Sequence, residues 1–470
     1  MNNTKEYKGI LKDSGTFAIG TFGSKIISFL FVPLYTSYLS TAEYGTADLV
    51  NMAVSLIFPI LTCSISEGVL RFCYQKDSDY NDILSVFVFV IIGATLINIL
   101  LSLLGVILFP FIKPYLIYYI PLFIVTSTSH GLSNFLKGIG KIKLFAGQGI
   151  FHTIVLVAAN LVLLVLLGYG LPGYFISIIS ANFLTIIFII ICGKLYEFKI
   201  NLSVNKKLLS EMLKYSLPLV PATIAWWINI SADKYMISGM IGVSANGLYS
   251  VAHQIPAILT TLTGLFTQAW QISAMRNYGN HNFQELFTNV LKSVNCVLAV
   301  GSVSIIILCK FLASILFRND FYVAWVYVPL LVLSAVFSAI AGTLASAYTA
   351  AKKTNILFIS TCVGAGVNIV LNYFLIKLWG ISGAALSTVI SFIVIVVVRY
   401  ILLGSRVVKI KYDVKIDVLS FSIILIEAIM IAYSPENFFL IAIVSLVLVY
   451  LINAKKLRHL IHSMLSMFKR

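Results

Sequence analysis

Residues 14 to 72, SGTFAIGTFGSKIISFLFVPLYTSYLSTAEYGTADLVNMAVSLIFPILTCSISEGVLRF, read as two long apolar segments that nevertheless carry Lys25, Asp48, Glu67 and Arg71. On the first, Thr21, Lys25, Ser28 and Tyr35 or Thr36 fall on one helical line. On the second, Asp48, Asn51, Ser55, Pro59, Thr62 and Ser66 recur at steps of three and four. A polar stripe along an otherwise apolar helix belongs against a hydrated interior, because lipid cannot satisfy it.

The same texture continues outward through the chain. Of 470 residues, 60% are hydrophobic and only 11% charged, with a mean hydropathy of +0.98. That balance excludes an ordinary soluble domain and predicts a membrane protein. The six cysteines stand singly, with no CxxC spacing, so neither a disulfide framework nor a metal site is indicated. At roughly 20 apolar residues per span, membrane helices are expected at about 16–40, 41–72, 82–111, 115–136, 144–168 and 171–192. A second set is expected at 215–241, 243–274, 286–317, 321–350, 355–378 and 381–404, and a final pair at 416–433 and 437–454. The predicted fold class is an all-α polytopic membrane protein of about 14 transmembrane helices. Its expected organisation is a six-helix lobe over 1–192, a cytoplasmic linker over 193–214, a second six-helix lobe over 215–404, and a C-terminal helix pair with a basic tail over 405–470.

The net charge of +16 reads as a topology signal and not as a nucleic-acid surface. With the N-terminus inside, only Lys113, Arg318 and Lys377 of the 33 Lys and Arg fall on outer connections, and Lys25, Lys234 and Lys310 lie within or near the bilayer. The rest, from Lys5 to Arg470, occupy inner loops and tails, which predicts both termini on the cytoplasmic side. The tail from Lys455 to Arg458 is placed to touch anionic lipid.

The chain also resembles itself. Gly170-Leu-Pro-Gly173 answers Gly380-Ile-Ser-Gly383, with Ser177 answering Ser387 and Lys143 answering Lys353, all at one offset. Tyr44-Gly45 pairs with Asn246-Gly247, and Pro121-Leu122 with Pro329-Leu330, at offsets differing only by loop-sized gaps. An even number of spans separates the copies, so both enter the membrane in the same direction, as a parallel repeat.

Tyr38-Leu39, Glu43-Tyr44-Gly45, Glu67-Gly68 and Arg71-Phe72 resemble the N-terminal signature of bacterial polysaccharide flippases of the O-antigen (Wzx) type. The halves ending Gly-x-x-Gly-x-x-x-Ser resemble the wider fold of lipid II flippases and multidrug and toxin extruders. The resemblance implies two lobes around a cationic central cavity in the bacterial inner membrane. It implies movement of an undecaprenyl-pyrophosphate-linked oligosaccharide, an O-antigen or capsule-type repeat unit, from the cytoplasmic to the periplasmic leaflet. The partners implied are that lipid-linked oligosaccharide, membrane lipid, and the polysaccharide polymerase and chain-length machinery; nucleic acid is not among them. A cation-coupled multidrug extruder of the same fold and a lipid II flippase are the alternatives. No catalytic triad, metal cluster or phosphate-binding glycine loop is found, which points away from an enzyme.

A pyrophosphate crossing hydrocarbon needs cations and donors along its route. Lys25, roughly 16 Å into its helix at about 1.5 Å per residue, Arg71, Lys234 and Arg276 are the candidate pyrophosphate contacts. For Lys25 the alternative is a structural pair with Asp48 or Glu67; for Arg71 it is an i, i+4 pair with Glu67. Trp226, Asn229, Gln254, Gln268, Trp270 and Gln271 are the candidate sugar contacts. Asp48, Glu67 and Asp233 are candidates for coupling to H+ or Na+; no cofactor is expected. His130, His152 and Glu427 are read as satisfied packing residues, and Trp325 as a membrane anchor. Pro33, Pro59, Pro218, Pro221 and Pro256 are expected to bend their helices.

Overall fold

The computed structural model describes residues 29–75, 78–108, 110–201, 203–408 and 414–468, and among them every regular element is helical. Lys25, with Thr21 and Ser28, lies outside the described residues. Among the described residues nine helical segments are long and apolar enough to cross a membrane, and large side chains such as Leu104, Ile107, Phe183 and Leu448 are exposed along them, as lipid-facing positions are. The protein is an all-α polytopic membrane protein.

The chain forms two compact units, Met1–Trp227 and Ile228–Arg470. In the first, α1 (Val32–Tyr38), α2 (Thr41–Leu61) and α3 (Ile65–Cys73) are followed by α4 (Tyr80–Leu108), α5 (Leu116–Gly138), α6 (Ile142–Asn160), α7 (Gly170–Cys192) and α8 (Lys206–Ser216). Helix α9 (Val220–Met240) carries the boundary. The second unit holds α10 (Val243–Ala252), α11 (Gln254–Asn277), α12 (Phe283–Leu316), α13 (Val328–Ala350), α14 (Thr354–Arg406), α15 (Lys415–Tyr433) and α16 (Phe438–Phe468).

Two expected spans are broken. The stretch predicted as one helix over 41–72 divides at Cys63 and Ser64, which both take a left-handed φ of 51°. The stretch over 243–274 divides at His253. The prolines explain part of this. Pro59 sits in the last turn of α2 just before the first break, and Pro256 lies in the first turn of α11 just after the second. Pro218 lies in the 3-10 turn Leu217–Leu219 ahead of α9. A ring that removes one hydrogen bond and crowds the preceding turn is best tolerated near a helix end, so these prolines mark breaks where bends were expected.

The sequence repeat is a repeat of backbone geometry. Gly170 and Gly380 both hold a positive φ, 53° and 58°, a region that favours glycine. At the second glycine of each motif the chain closes on a preceding carbonyl. A Cβ on Gly173 would stand 3.1 Å from the Leu163 oxygen, and one on Gly383 only 2.0 Å from the Leu375 oxygen. One turn on, Ser177 and Ser387 each donate to the glycine carbonyl four residues back, at 2.8 and 2.9 Å. The Gly380 turn divides α14 into two spans, matching the two predicted over 355–378 and 381–404.

Glu43 accounts for part of the N-terminal signature. Its carboxylate accepts from the Ser40 backbone N–H at 2.9 Å while the Ser40 hydroxyl accepts from the Glu43 N–H, a capping box at the start of α2. Its other oxygen accepts from the Leu171 N–H beside the Gly170 turn. One side chain thus starts α2 and holds the first turn of α7.

In the second unit, α15 and α16 pack on α12 through polar contacts as well as apolar ones. Asp417 pairs with Lys456 and accepts from Asn295 Nδ2 at 2.8 Å, and Asn453 donates to Ser420. Removing one partner of a buried pair strands the other, so Asp417→Ala should lower unfolding free energy by about 3–5 kcal/mol. Asp417→Asn, which keeps an acceptor for Asn295, should cost less; thermal unfolding of the purified variants checks the order.

Candidate functional site

Among the proposed contacts, α9 carries the most buried. Asp233 is 2% exposed and Lys234 7% exposed, and Asn229 is buried one turn earlier. The Tyr249 hydroxyl on α10 donates to Asp233 Oδ2. Thr388 Oγ1, in the half of α14 after the Gly380 turn, donates to the same oxygen at 3.3 Å. Asp233 Oδ1 accepts from the Lys234 backbone N–H at 3.0 Å. From the first half of α14, Asn368 Nδ2 approaches Thr388 Oγ1 at 3.4 Å and Asn372 Nδ2 donates to Asn368 Oδ1 at 2.9 Å. Asn372 Oδ1 is left buried with no hydrogen-bond partner among the described residues. A buried charged group persists only where it is paired or hydrogen-bonded, and here two hydroxyls from other helices meet one carboxylate, with two asparagines extending the chain behind Thr388.

The first unit holds a related polar cluster on the corresponding spans. Asn160 donates to the Tyr35 hydroxyl at 3.0 Å, Asn51 donates to the Tyr174 hydroxyl at 3.3 Å, and the two tyrosine rings meet edge to face at 5.2 Å. Asp48, half-buried on α2, lies within electrostatic reach of Tyr174. The cluster therefore draws on the first, second, fifth and sixth spans of its set. Asp233, Tyr249, the two asparagines and Thr388 come from the same four spans of the second set.

The other candidates are dispersed. Glu67 and Arg71 are both exposed on α3. Glu67 accepts from Asn134 Nδ2 at 3.3 Å, and Lys137 Nζ donates to Asn134 Oδ1 at 3.1 Å. Among the described residues, no ion pair between Glu67 and Arg71 forms; the carboxylate is held across to α5 instead. Arg276 is exposed in the last turn of α11, Gln268 is exposed, and Gln254 and Gln271 are partly buried. Trp270 is buried against Phe287, its indole N–H without a hydrogen-bond partner among the described residues. Trp226 is 63% exposed, whereas the adjacent Trp227 donates to the Met52 carbonyl and Ser55 hydroxyl, both at 3.1 Å.

Three further residues carry roles that the sequence reading did not give them. Arg399, counted there as a loop charge, is buried. It donates to Ser360 Oγ, the Ala341 carbonyl and Thr361 Oγ1 at 2.8–3.0 Å, while the Thr361 carbonyl accepts from Asn229. Its place inside the span predicted over 381–404 was the available signal. Glu427, read as a satisfied packing residue, is buried with neither oxygen partnered among the described residues. Trp325, read as an anchor, is buried against Phe438 with Lys310 Nζ 5.1 Å from its ring centre.

Each of the two units of membrane helices carries a polar cluster on matching spans, and solved structures share this fold. The chain is similar to a lipid II flippase, MurJ, in an inward closed conformation, at 20% identity and a TM-score of 0.71, covering 95% of this chain and 99% of that one. It is also similar to a multidrug resistance MATE family transporter of the MOP superfamily. The inward-facing form gives 12% identity, a TM-score of 0.64 and coverage of 81% and 94%; the outward-facing form gives 14%, 0.58, and 84% and 95%. A family profile described as polysaccharide biosynthesis protein matches residues 10–271, more than half of the chain, and one described as MatE matches residues 218–374. The chain belongs to the polysaccharide biosynthesis protein family. No curated relative matches the sequence.

Proposed function

We propose that the chain is a flippase that carries an undecaprenyl-pyrophosphate-linked oligosaccharide, an O-antigen or capsule-type repeat unit, from the cytoplasmic to the periplasmic leaflet of the bacterial inner membrane. The observation that carries the reading is the buried Asp233–Lys234 cluster in a membrane helix of a polysaccharide biosynthesis family member. Buried charge of this kind is costly, and in membrane proteins it marks substrate and ion paths. In this reading both termini are cytoplasmic, Arg71 and Arg276 receive the pyrophosphate, and Lys25 and Lys234 hold it within the membrane. The polyprenyl tail stays in lipid, so only the headgroup needs a polar route.

Transport proceeds by alternating access, and the Asp233 cluster binds its coupling ion. Asp233, Thr388 and Asn372 offer a carboxylate, a hydroxyl and an amide oxygen that has no hydrogen-bond partner among the described residues, an all-oxygen donor set that suits a small hard cation such as Na+. A bound cation would supply the positive charge that lets Asp233 stay ionised. Tyr249 and Thr388 hold the carboxylate in place for it. The expected pyrophosphate role of Lys25 is tested directly: Lys25→Ala should block surface polysaccharide while the protein still inserts, and Lys25→Arg should restore part of it. Normal export by Lys25→Ala would remove this residue from the path.

A second reading, a cation-coupled multidrug extruder, is favoured by the MatE match over residues 218–374. It predicts that loss of the gene sensitises cells to organic cations and leaves surface glycan intact, the reverse of what the flippase reading requires.

A further inference from the structure

Helix α8 lies outside the candidate spans, and two ridges run along it, a polar one that is exposed and a leucine one of which Leu209 and Leu213 are partly buried against the core. Lys206, Ser210 and Lys214 recur every four residues, and beside them Leu209, Leu213 and Leu217 do the same; these six residues line a groove of about 330 Å³. On its other side Met212 and Ser216 are fully buried, and Tyr215, itself exposed, meets Phe72 of α3 edge to face. Neither Lys206 nor Lys214 has an ion-pair partner among the described residues, whereas Lys194 nearby pairs with Glu197 at 3.5 Å. Leu217, Tyr196 and Ile200 are exposed in the same segment.

We propose that this groove binds an anionic glycerophospholipid of the surrounding bilayer. At about 1.5 Å per residue, each ridge runs roughly 12 Å along the helix, a length that suits one headgroup and the start of its acyl chain. The phosphate takes charge-assisted contacts from the two ammonium groups and a hydrogen bond from the Ser210 hydroxyl. The first methylenes lie on the leucine ridge, and the lysine stems cover the rest. A helix with cations on one ridge and leucines on the next lies in the membrane interface. A zwitterionic lipid fits the leucines equally well but brings its own cation against the lysines, so the groove selects by charge. The inference is independent of what the protein transports.

The test uses the full-length protein purified in neutral detergent and titrated with phosphatidylglycerol or phosphatidylcholine, bound lipid being counted by native mass spectrometry. The protein should prefer phosphatidylglycerol, and each lysine replaced should weaken that binding about fivefold, so that Lys206→Gln with Lys214→Gln has the largest effect. Replacing both by Arg should preserve the preference, and Lys207→Gln, outside the groove, should change it less. The purified variants should unfold at the wild-type temperature in detergent alone. Equal binding of the two lipids by the wild type, or undiminished phosphatidylglycerol binding by the double Gln variant, would overturn the proposal.

Discussion

Asp233→Asn is expected to abolish transport and to remove stabilisation by Na+ while leaving the fold standing. The amide keeps an oxygen for the Tyr249 and Thr388 hydroxyls, which both donate to Asp233 Oδ2, so those two hydrogen bonds survive and only the one from the Lys234 backbone N–H to Oδ1 is lost. What disappears is the charge. Replacing even a supporting residue of a metal site costs about 10–100-fold in affinity, and loss of a charged ligand should cost at least that. The direct measurement is melting temperature against NaCl at constant ionic strength, with choline chloride as the balance. The wild type should be stabilised as sodium saturates its site, and Asp233→Asn should not respond. Asp233→Ala is predicted to be worse in a different way. It leaves the fully buried Tyr249 hydroxyl without its acceptor, a loss of about 1–3 kcal/mol for a stranded buried donor. A sodium response surviving in Asp233→Asn would place the ion elsewhere.

Gly383→Ala is expected to destabilise the protein by about 3 kcal/mol or more. The new Cβ would stand 2.0 Å from the Leu375 oxygen, 2.4 Å from its carbonyl carbon and 3.0 Å from the Ile376 nitrogen. All three are backbone atoms, so no side chain can rotate away and the turn itself must open. Gly380→Ala meets no such wall, its nearest neighbour being a side-chain atom at 3.9 Å, but its φ of 58° costs a residue with a Cβ roughly 1–2 kcal/mol. Gly173→Ala should be milder than Gly383→Ala, since its closest contacts, at 3.1 Å, need only a small shift. Melting temperatures followed by size exclusion should rank Gly383→Ala below Gly173→Ala. Equal behaviour of the two would mean that the Gly380 turn is looser than its contacts imply.

Those glycines show why so much of the fold could be read in advance. A tight turn between apolar helices demands a left-handed residue and a close approach, and only glycine meets both needs cheaply, so the motif appears twice in the sequence as it does in the backbone. Span positions were legible for a similar reason, because hydrocarbon thickness fixes a length that composition must match. The helix breaks were not. Cys63 and Ser64 adopt a conformation that their side chains do not favour, so packing imposes it and no local signal announces it.

The site divides in the same way. Asp233 and Lys234 stood out because charge inside an apolar helix has few explanations. Tyr249, Asn368, Asn372 and Thr388 did not, being neutral groups from helices far apart in sequence, common in helices whether or not they converge. Asn368 and Asn372, four residues apart on one face, were the nearest thing to a signal. Arg399 was misassigned because it was counted with the charges of the inner loop although it lies inside the span predicted over 381–404.

The central claim is that the chain moves a lipid-linked saccharide between leaflets, and purified protein in sealed liposomes tests it most directly. Undecaprenyl-pyrophosphate-linked oligosaccharide is placed in the membrane, and the fraction open to an impermeant glycosidase is followed with time. The account predicts that the protected half of the saccharide becomes cleavable with the wild type and stays protected with Asp233→Asn. Saccharide that stays protected with the wild type, in liposomes where the same protein moves an organic cation, would contradict it.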